Sequence, residues 1–85
     1  MDKIVKVLVL TNNQILISQI EEVGAEIGEP DCKLVEPYVV TKDKILEPFL
    51  LNYTRENTFM MSSDKILTLA DPAPTLLEKY EDLIK

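Results

Sequence analysis

The stretch LTNNQILISQI, residues 10–20, decides how this chain is interpreted. Aliphatic residues precede and follow Asn12 and Asn13, and asparagine tolerates the positive φ that tight hairpin turns require. The preceding run KIVKVLVLT, residues 3–11, contains no glycine or proline, which favours a strand buried on both faces. The run QILISQIEEV, residues 14–23, leads back from the turn. The pattern predicts a β-hairpin closed by a type I′ turn at the two asparagines.

Further short strands are predicted after the hairpin. Turn-forming residues at 24–31, including both glycines, separate the second strand from CKLVEPYVV at 32–40. Polar turns then separate the extended runs ILEPFLLNY (45–53), TFMM (58–61) and ILTL (66–69). Pro37 and Pro48 lie inside strand-like runs, where a proline removes a ladder donor. Each proline therefore predicts a sheet edge or a β-bulge.

Short strands with interrupted ladders predict an all-β fold with one helix. We expect a small, strongly bent antiparallel barrel of five or six strands over residues 1–70. The residues TREN, 54–57, either turn the chain or form a bulge in one longer strand. The edges of this barrel must be covered, because the apolar runs TFMM and ILTL would otherwise be free to pair with other chains.

Residues 71–85 are predicted to form a proline-containing linker and a C-terminal amphipathic helix. Thr75 and Glu78 have the spacing of a capping box. An apolar stripe follows at helical spacing, made of Leu76, Leu77, Tyr80, Leu83 and Ile84. The stripe must be buried, either on the barrel of the same chain or on a neighbouring subunit.

Composition limits the class of protein. A chain of 85 residues holds one small domain, and a single cysteine with no histidine gives neither an internal disulfide nor the usual ligands of a zinc site. No signal-peptide pattern or membrane-spanning run is present, so we expect a soluble cytoplasmic protein without cofactor or metal. No nucleophile motif, paired-carboxylate cleft or phosphate-binding glycine loop is found. We therefore expect no catalytic residues and no enzyme.

The chain is acidic. Its formal net charge is −6, which disfavours unspecific attraction to nucleic acid or to an anionic membrane. Five acidic residues and no basic residue lie within residues 21–31. A solvated acidic loop is the ordinary explanation of such a run.

The hairpin resembles the first motif of the Sm-like family, which includes the Sm, LSm and Hfq proteins. That motif places an asparagine-glycine turn between aliphatic positions, with a second glycine in the following strand. Leu10, Asn12 and Ile20 match it, while Asn13 and Ser18 stand where the family usually has glycine.

The segment MMSSDKILTL, residues 60–69, is similar to the second motif of the family, in which an Arg-Gly turn joins a hydrophobic strand to a short last strand. Ser62 and Ser63 replace Arg-Gly. The helix also follows the barrel here, whereas in the family it usually precedes it. The chain therefore resembles a divergent bacterial or phage-type member, and the resemblance implies a five-stranded, SH3-like barrel, here followed by a C-terminal helix.

The resemblance implies a homo-oligomeric ring in which the strand ending near Met61 pairs with the last strand of the next subunit. It also implies recognition of single-stranded RNA without chemistry, by two loops that repeat around the ring. The candidate RNA-binding residues are Asp31, Cys32 and Lys33 in the first loop and Ser62, Ser63, Asp64 and Lys65 in the second. Each also has an ordinary role as a turn former, a buried apolar residue or a counter-charge. The alternative is a structural or protein-interaction ring whose acidic loops bind a basic protein or a cation.

Overall fold

A computed structural model of the chain describes residues 4–24, 26–50 and 53–84. Within these residues, six strands are followed by one α-helix, so the expected β-rich fold with a C-terminal helix is confirmed. The strands are β1 (Val5–Leu10), β2 (Ile15–Glu22), β3 (Cys32–Val40), β4 (Leu46–Pro48), β5 (Thr58–Met61) and β6 (Ile66–Ala70). A 3-10 turn (Ser63–Lys65) joins β5 to β6, and the helix is α1 (Pro74–Leu83).

The strands form one antiparallel sheet in the order β4-β3-β2-β1-β6, and β5 also pairs with β3. The last strand returns to β1, the first, so the sheet curls around its core. β4 pairs with Tyr38–Val40 and β5 with Cys32–Val35, so these two runs are separate strands and not parts of one bulged strand. Residues 51 and 52 of the predicted run 45–53 lie outside the described residues. Of the two alternatives for residues 54–57, the turn is therefore the one observed, and the five strands that the resemblance implies are corrected to six. No ladder joins β5 to β6 in the described part of the chain, so the sheet is not a closed barrel.

The loop of the first hairpin differs from the predicted type I′ turn. The N–H of Asn13 donates to the carbonyl of Leu10, and the N–H of Leu10 donates to the carbonyl of Gln14, both at 2.9 Å. Thr11 and Asn12 therefore form the centre of a type I turn, and Asn13 follows with φ 70°. The prediction of positive φ at Asn13 is confirmed. The predicted turn type was wrong, because asparagine is common both in a type I′ turn and after a type I turn.

A β-bulge bends the centre of the sheet. Ile17 pairs with Tyr38 and Gln19 pairs with Val35, so Ser18 alone faces two residues of β3. The two are Glu36 and Pro37, and Glu36 has φ 52°, a value that non-glycine residues rarely adopt. The predicted bulge at Pro37 is confirmed, and so is the edge position of Pro48, the last residue of β4.

The sheet is apolar on both faces. One face holds the core, formed by Leu8, Leu10, Leu16, Ile20, Cys32 and Leu34. Ile17, on the other face, is buried as well, and the fully buried Tyr80 of α1 contacts the sheet through hydrogen bonds to Gln19 and Glu36. Of the two alternatives for the helix, packing on its own chain is therefore the one observed. The predicted capping box is wrong: α1 begins at Pro74, one residue before Thr75, and no side chain caps it.

Candidate functional site

The two loops predicted to bind RNA contact each other. The carboxylate of Asp31, just before β3, accepts hydrogen bonds from the backbone N–H and the hydroxyl of Ser63, at 2.7 and 2.8 Å. These bonds, that of the hydroxyl first, hold the pKa of Asp31 below its ordinary value. Because the bonds favour the charged form, Asp31 acts as a fixed anion that joins the β2–β3 loop to the 3-10 turn.

The 3-10 turn is held from a second side by the first hairpin. The N–H of Thr11 donates to the carbonyl of Lys65 at 2.9 Å. Within the turn, the hydroxyl of Ser62 lies 3.5 Å from a carboxylate oxygen of Asp64. The turn is therefore fixed between two loops, and the side chains of Ser63, Asp64 and Lys65 are exposed to solvent.

Cys32 belongs to the core rather than to the surface of this site. Its side chain is buried in the same cluster as Leu34, and it pairs in register with Met61. Burial raises the pKa of the thiol, and the charges of Asp31 and Glu22 raise it further. Cys32 is thus a neutral, enclosed thiol, which matches the ordinary role expected from its sequence.

The two lysines of the predicted site have different surroundings. Lys33 is half-buried on β3, where its register partners are Glu21 on β2 and Met60 on β5. Lys65 is exposed at the end of the 3-10 turn. Glu21 and Glu22 at the end of β2 are exposed as well. The positive charge of Lys33 therefore lies beside the acidic residues that begin the stretch 21–31.

Two strand edges are apolar and unpaired. Within the described residues, β5 pairs only with β3 and β6 only with β1. Met60 on β5 is 50% exposed, and Leu67 and Leu69 on β6 are 62% and 49% exposed. Both runs thus present exposed apolar side chains at strand edges, the feature that favours pairing with another chain.

An open cleft of about 1140 Å³ lies beside β6. Ile20 and Cys32 of the core, Ile66, Leu67 and Leu69 of β6, and Ile84 after the helix contribute most of its apolar wall. Glu21, Glu22 and Glu36 also line it. The cleft therefore continues the apolar core of the sheet out to the free edge of β6.

The sequence did not indicate the polar cluster that holds the helix. The hydroxyl of Tyr80 accepts the backbone N–H of Gln19 at 3.2 Å and donates to the carbonyl of Glu36 at 2.8 Å. Pro37 predicted the bulge, but no residue near Tyr80 in the sequence indicated that the Tyr80 hydroxyl would contact that bulge.

Tyr53, 85% exposed, is the aromatic side chain most open to solvent among the described residues.

Among the described residues, no group of three or more cysteine and acidic side chains is placed to hold a metal ion, and no helix has the length and apolarity to cross a membrane.

A family model described as a family of unknown function, DUF6561, matches residues 3–85. Because the match covers nearly the whole chain, the chain belongs to this family. No curated protein matches it significantly.

Proposed function

We propose that this member of the DUF6561 family assembles into a closed homo-oligomeric ring of the Sm-like kind, which binds single-stranded RNA weakly and without chemistry. The observation that carries the proposal is that β5 and β6 each have one apolar edge without a partner strand among the described residues. The barrel implied by the resemblance is part of the same proposal, and the return of β6 to β1 supports it.

The exposed edges support assembly on physical grounds. An edge strand presents unpaired N–H and C=O groups, and apolar side chains along it favour pairing with a second chain. Met60 on β5 and Leu67 on β6 are both at least half exposed in the single chain. Pairing β5 of one subunit with β6 of the next would cover both and lengthen the sheet.

The two edges belong to different strands, so their pairing is head-to-tail. A contact between two different surfaces repeats from subunit to subunit until it closes as a ring or grows as a filament. Closure requires a rotation between subunits, and the resemblance to ring-forming proteins favours a ring over a filament. The resemblance sets the expected size at five to seven subunits.

The apolar cleft beside β6 supports the same contact. It opens at Leu67 and Leu69, the residues that a neighbouring β5 would approach. Side chains of the neighbouring strand, such as Met60, would enter it and remove apolar surface from water, at about 25 cal/mol per Å² buried. Assembly would thus complete a core that a single chain leaves open.

The proposed RNA contact rests on the junction of the two loops. Asp31 and Ser63 hold the loops together, and the exposed polar groups of Asp64 and Lys65 project from the same turn. Hydroxyls, carboxylates and backbone amides can hydrogen-bond base edges, and the lysines can neutralise phosphates. Identical sites repeated around a ring would add weak contacts through avidity.

Sedimentation equilibrium tests the assembly. We expect a single species of five to seven subunits, and a stable monomer at micromolar concentration would contradict the proposal. Leu67→Pro removes a backbone donor from β6 and should dissociate the assembly. Leu83→Pro in the last turn of α1 is the control for a general loss of folding, because it leaves both strand edges unchanged; circular dichroism follows folding in each variant.

Fluorescence anisotropy with short uridine-rich and adenine-rich RNAs tests the second part. Saturable, salt-sensitive binding is expected, and its absence at every salt concentration would exclude RNA. Binding to a basic protein instead would favour the alternative, a protein-interaction ring. The exposed Glu21 and Glu22 give that alternative its physical basis.

A further inference from the structure

A small notch borders the cleft described above, with which it shares Glu36 and Ile84. It is formed between the bulge of β3, the end of β4, the start of β5 and the C-terminal end of α1, and its volume is about 190 Å³. Pockets for drug-sized ligands measure roughly 300–1,000 Å³. The notch is therefore sized for one side chain rather than for a chain segment. The residues that give it its chemistry are Glu36, Glu56, Tyr38, Phe49, Phe59 and Ile84.

The notch is electronegative. Glu36 and Glu56 both line it, and neither carboxylate forms an ion pair with a described residue. No lysine or arginine contributes to its described wall. Leu83 and Ile84 bring the C-terminal end of α1 to the same place, and the free carbonyls there carry partial negative charge. Three independent sources of negative potential therefore converge on one small volume.

The apolar part of the notch is aromatic. Phe49 and Phe59 meet edge to face, with ring centroids 5.5 Å apart and an interplanar angle of 83°. Tyr38 lines the notch as well and packs edge to face against Tyr80. A cation over an aromatic face gains about 0.5–2 kcal/mol, and a planar guanidinium both stacks on such a ring and pairs with carboxylates.

The backbone of Glu36, which forms part of the wall of the notch, is held from two sides. The N–H of Glu36 donates to the carbonyl of Asn57 at 2.6 Å, and the carbonyl of Glu36 accepts from Tyr80. Glu36 is thus fixed from the β5 side and from the helix side, in a backbone conformation with φ 52°. A preorganised wall loses little entropy on binding, which favours a specific site over diffuse attraction.

We propose that this notch binds the guanidinium group of an arginine presented by a cationic peptide or protein. Glu36 and Glu56 accept its hydrogen bonds, and the aromatic wall receives its face. One chain supplies every residue that defines the notch, so the site does not require the ring or the RNA site.

The test uses the full-length protein and a fluorescent arginine-rich peptide, with the same peptide carrying citrulline as the probe of charge. Citrulline has nearly the same shape as arginine but no charge. Anisotropy titrations are made on the parent protein, on the Glu36→Gln, Glu56→Gln double variant, and on the Glu21→Gln, Glu22→Gln double variant. The two double variants change the net charge equally. Amide chemical shifts of Asn57, Phe59 and Ile84 locate the bound peptide.

We expect the Glu36→Gln, Glu56→Gln variant to bind the arginine peptide about tenfold more weakly or worse, a loss of about 1.4 kcal/mol or more. The control variant should bind within about twofold of the parent, and the citrulline peptide should not bind. Equal weakening in both variants would mean general attraction to an acidic protein and would overturn the proposal. So would unchanged shifts of Asn57, Phe59 and Ile84 on peptide binding. Loss of the ring without loss of peptide binding would separate this site from the proposed assembly.

Discussion

The hydroxyl oxygen of Tyr80 lies 2.8 Å from the carbonyl oxygen of Glu36, 44 residues earlier in the chain. The bulge at Glu36 interrupts the ladder between β2 and β3, and the same hydroxyl also accepts the N–H of Gln19. The helix thus replaces hydrogen bonds that the bulge removes from the sheet. Burial raises the pKa of the Tyr80 hydroxyl, which remains a neutral donor and acceptor at ordinary pH.

Tyr80→Phe is expected to lower the free energy of unfolding by about 1–3 kcal/mol, because it leaves buried backbone groups of the bulge without a partner. The substitution keeps the aromatic ring of residue 80 and its packing against Tyr38. Tyr53→Phe is the control, since Tyr53 is largely exposed, and it should change stability by less than about 0.5 kcal/mol. Urea unfolding measures both; equal stability of Tyr80→Phe and the parent would show that the hydroxyl does not hold the helix.

Glu36→Gly is expected to stabilise the chain by about 0.5–1 kcal/mol, although glycine normally weakens a strand. The reason is the φ of 52° at Glu36, which costs a non-glycine residue energy and costs glycine almost none. Glu47→Gly in β4 is the matched control and should destabilise, because Glu47 does not have positive φ. Thermal unfolding of the two variants should therefore give shifts of opposite sign.

Asn13→Gly is expected to be neutral or mildly stabilising, and Asn13→Val should cost about 1 kcal/mol or more, because Asn13 has φ 70°. Asn12→Gly provides the contrast. The side chain of Asn12 accepts the N–H of Gln14 at 3.0 Å, and its loss should destabilise the hairpin. A stable Asn13→Val variant in thermal unfolding would contradict the loop conformation.

Much of this fold could be predicted from local patterns. Strand-forming runs between turn residues predicted β3 and β5 with the ends that are observed, and Pro37 predicted the bulge. The choice between a turn and a bulge at residues 54–57 could not be made from the sequence, because it depends on which half of β3 each strand reaches. That pairing is decided by tertiary contacts and leaves no periodic signal.

The candidate site was predictable in part. The resemblance placed Asp31 and Ser63 in loops expected to lie together, and the structure joins them directly. It did not distinguish Cys32, whose position on the inward face of β3 buries it. The notch around Glu36 and Glu56 was not predictable, because its residues come from four separate elements.

Stability at acid pH should depend on the contact between Asp31 and Ser63. Hydrogen bonds from Ser63 lower the pKa of Asp31 in the folded chain below its ordinary 3.8, so folding favours the ionised carboxylate. The contribution is present above about pH 4 and is lost as the pH falls through the lowered pKa. Ser63→Ala should reduce this dependence and raise the pKa of Asp31, measured by carboxylate carbon chemical shifts. Ser62→Ala removes a hydroxyl that contacts Asp64 instead, and it should leave the titration of Asp31 unchanged.

RNA binding by the proposed ring should depend on Lys33 and Lys65 more than on other cations. These two lysines lie on or beside the loops joined by Asp31 and Ser63, while each subunit carries a net charge of −6 that repels polyanions at long range. Salt screens that repulsion as well as the local attraction, so affinity should fall less steeply with salt than for a basic RNA-binding protein and can pass through a maximum. Anisotropy titrations with short RNAs compare the parent, the Lys33→Ala, Lys65→Ala double variant and a Lys42→Ala, Lys79→Ala control, which has the same net charge and changes two exposed lysines elsewhere. Weaker binding in the first variant alone is expected; equal weakening in both would assign the lysines only a general electrostatic role, and unchanged binding in the first would place the RNA site elsewhere on the ring.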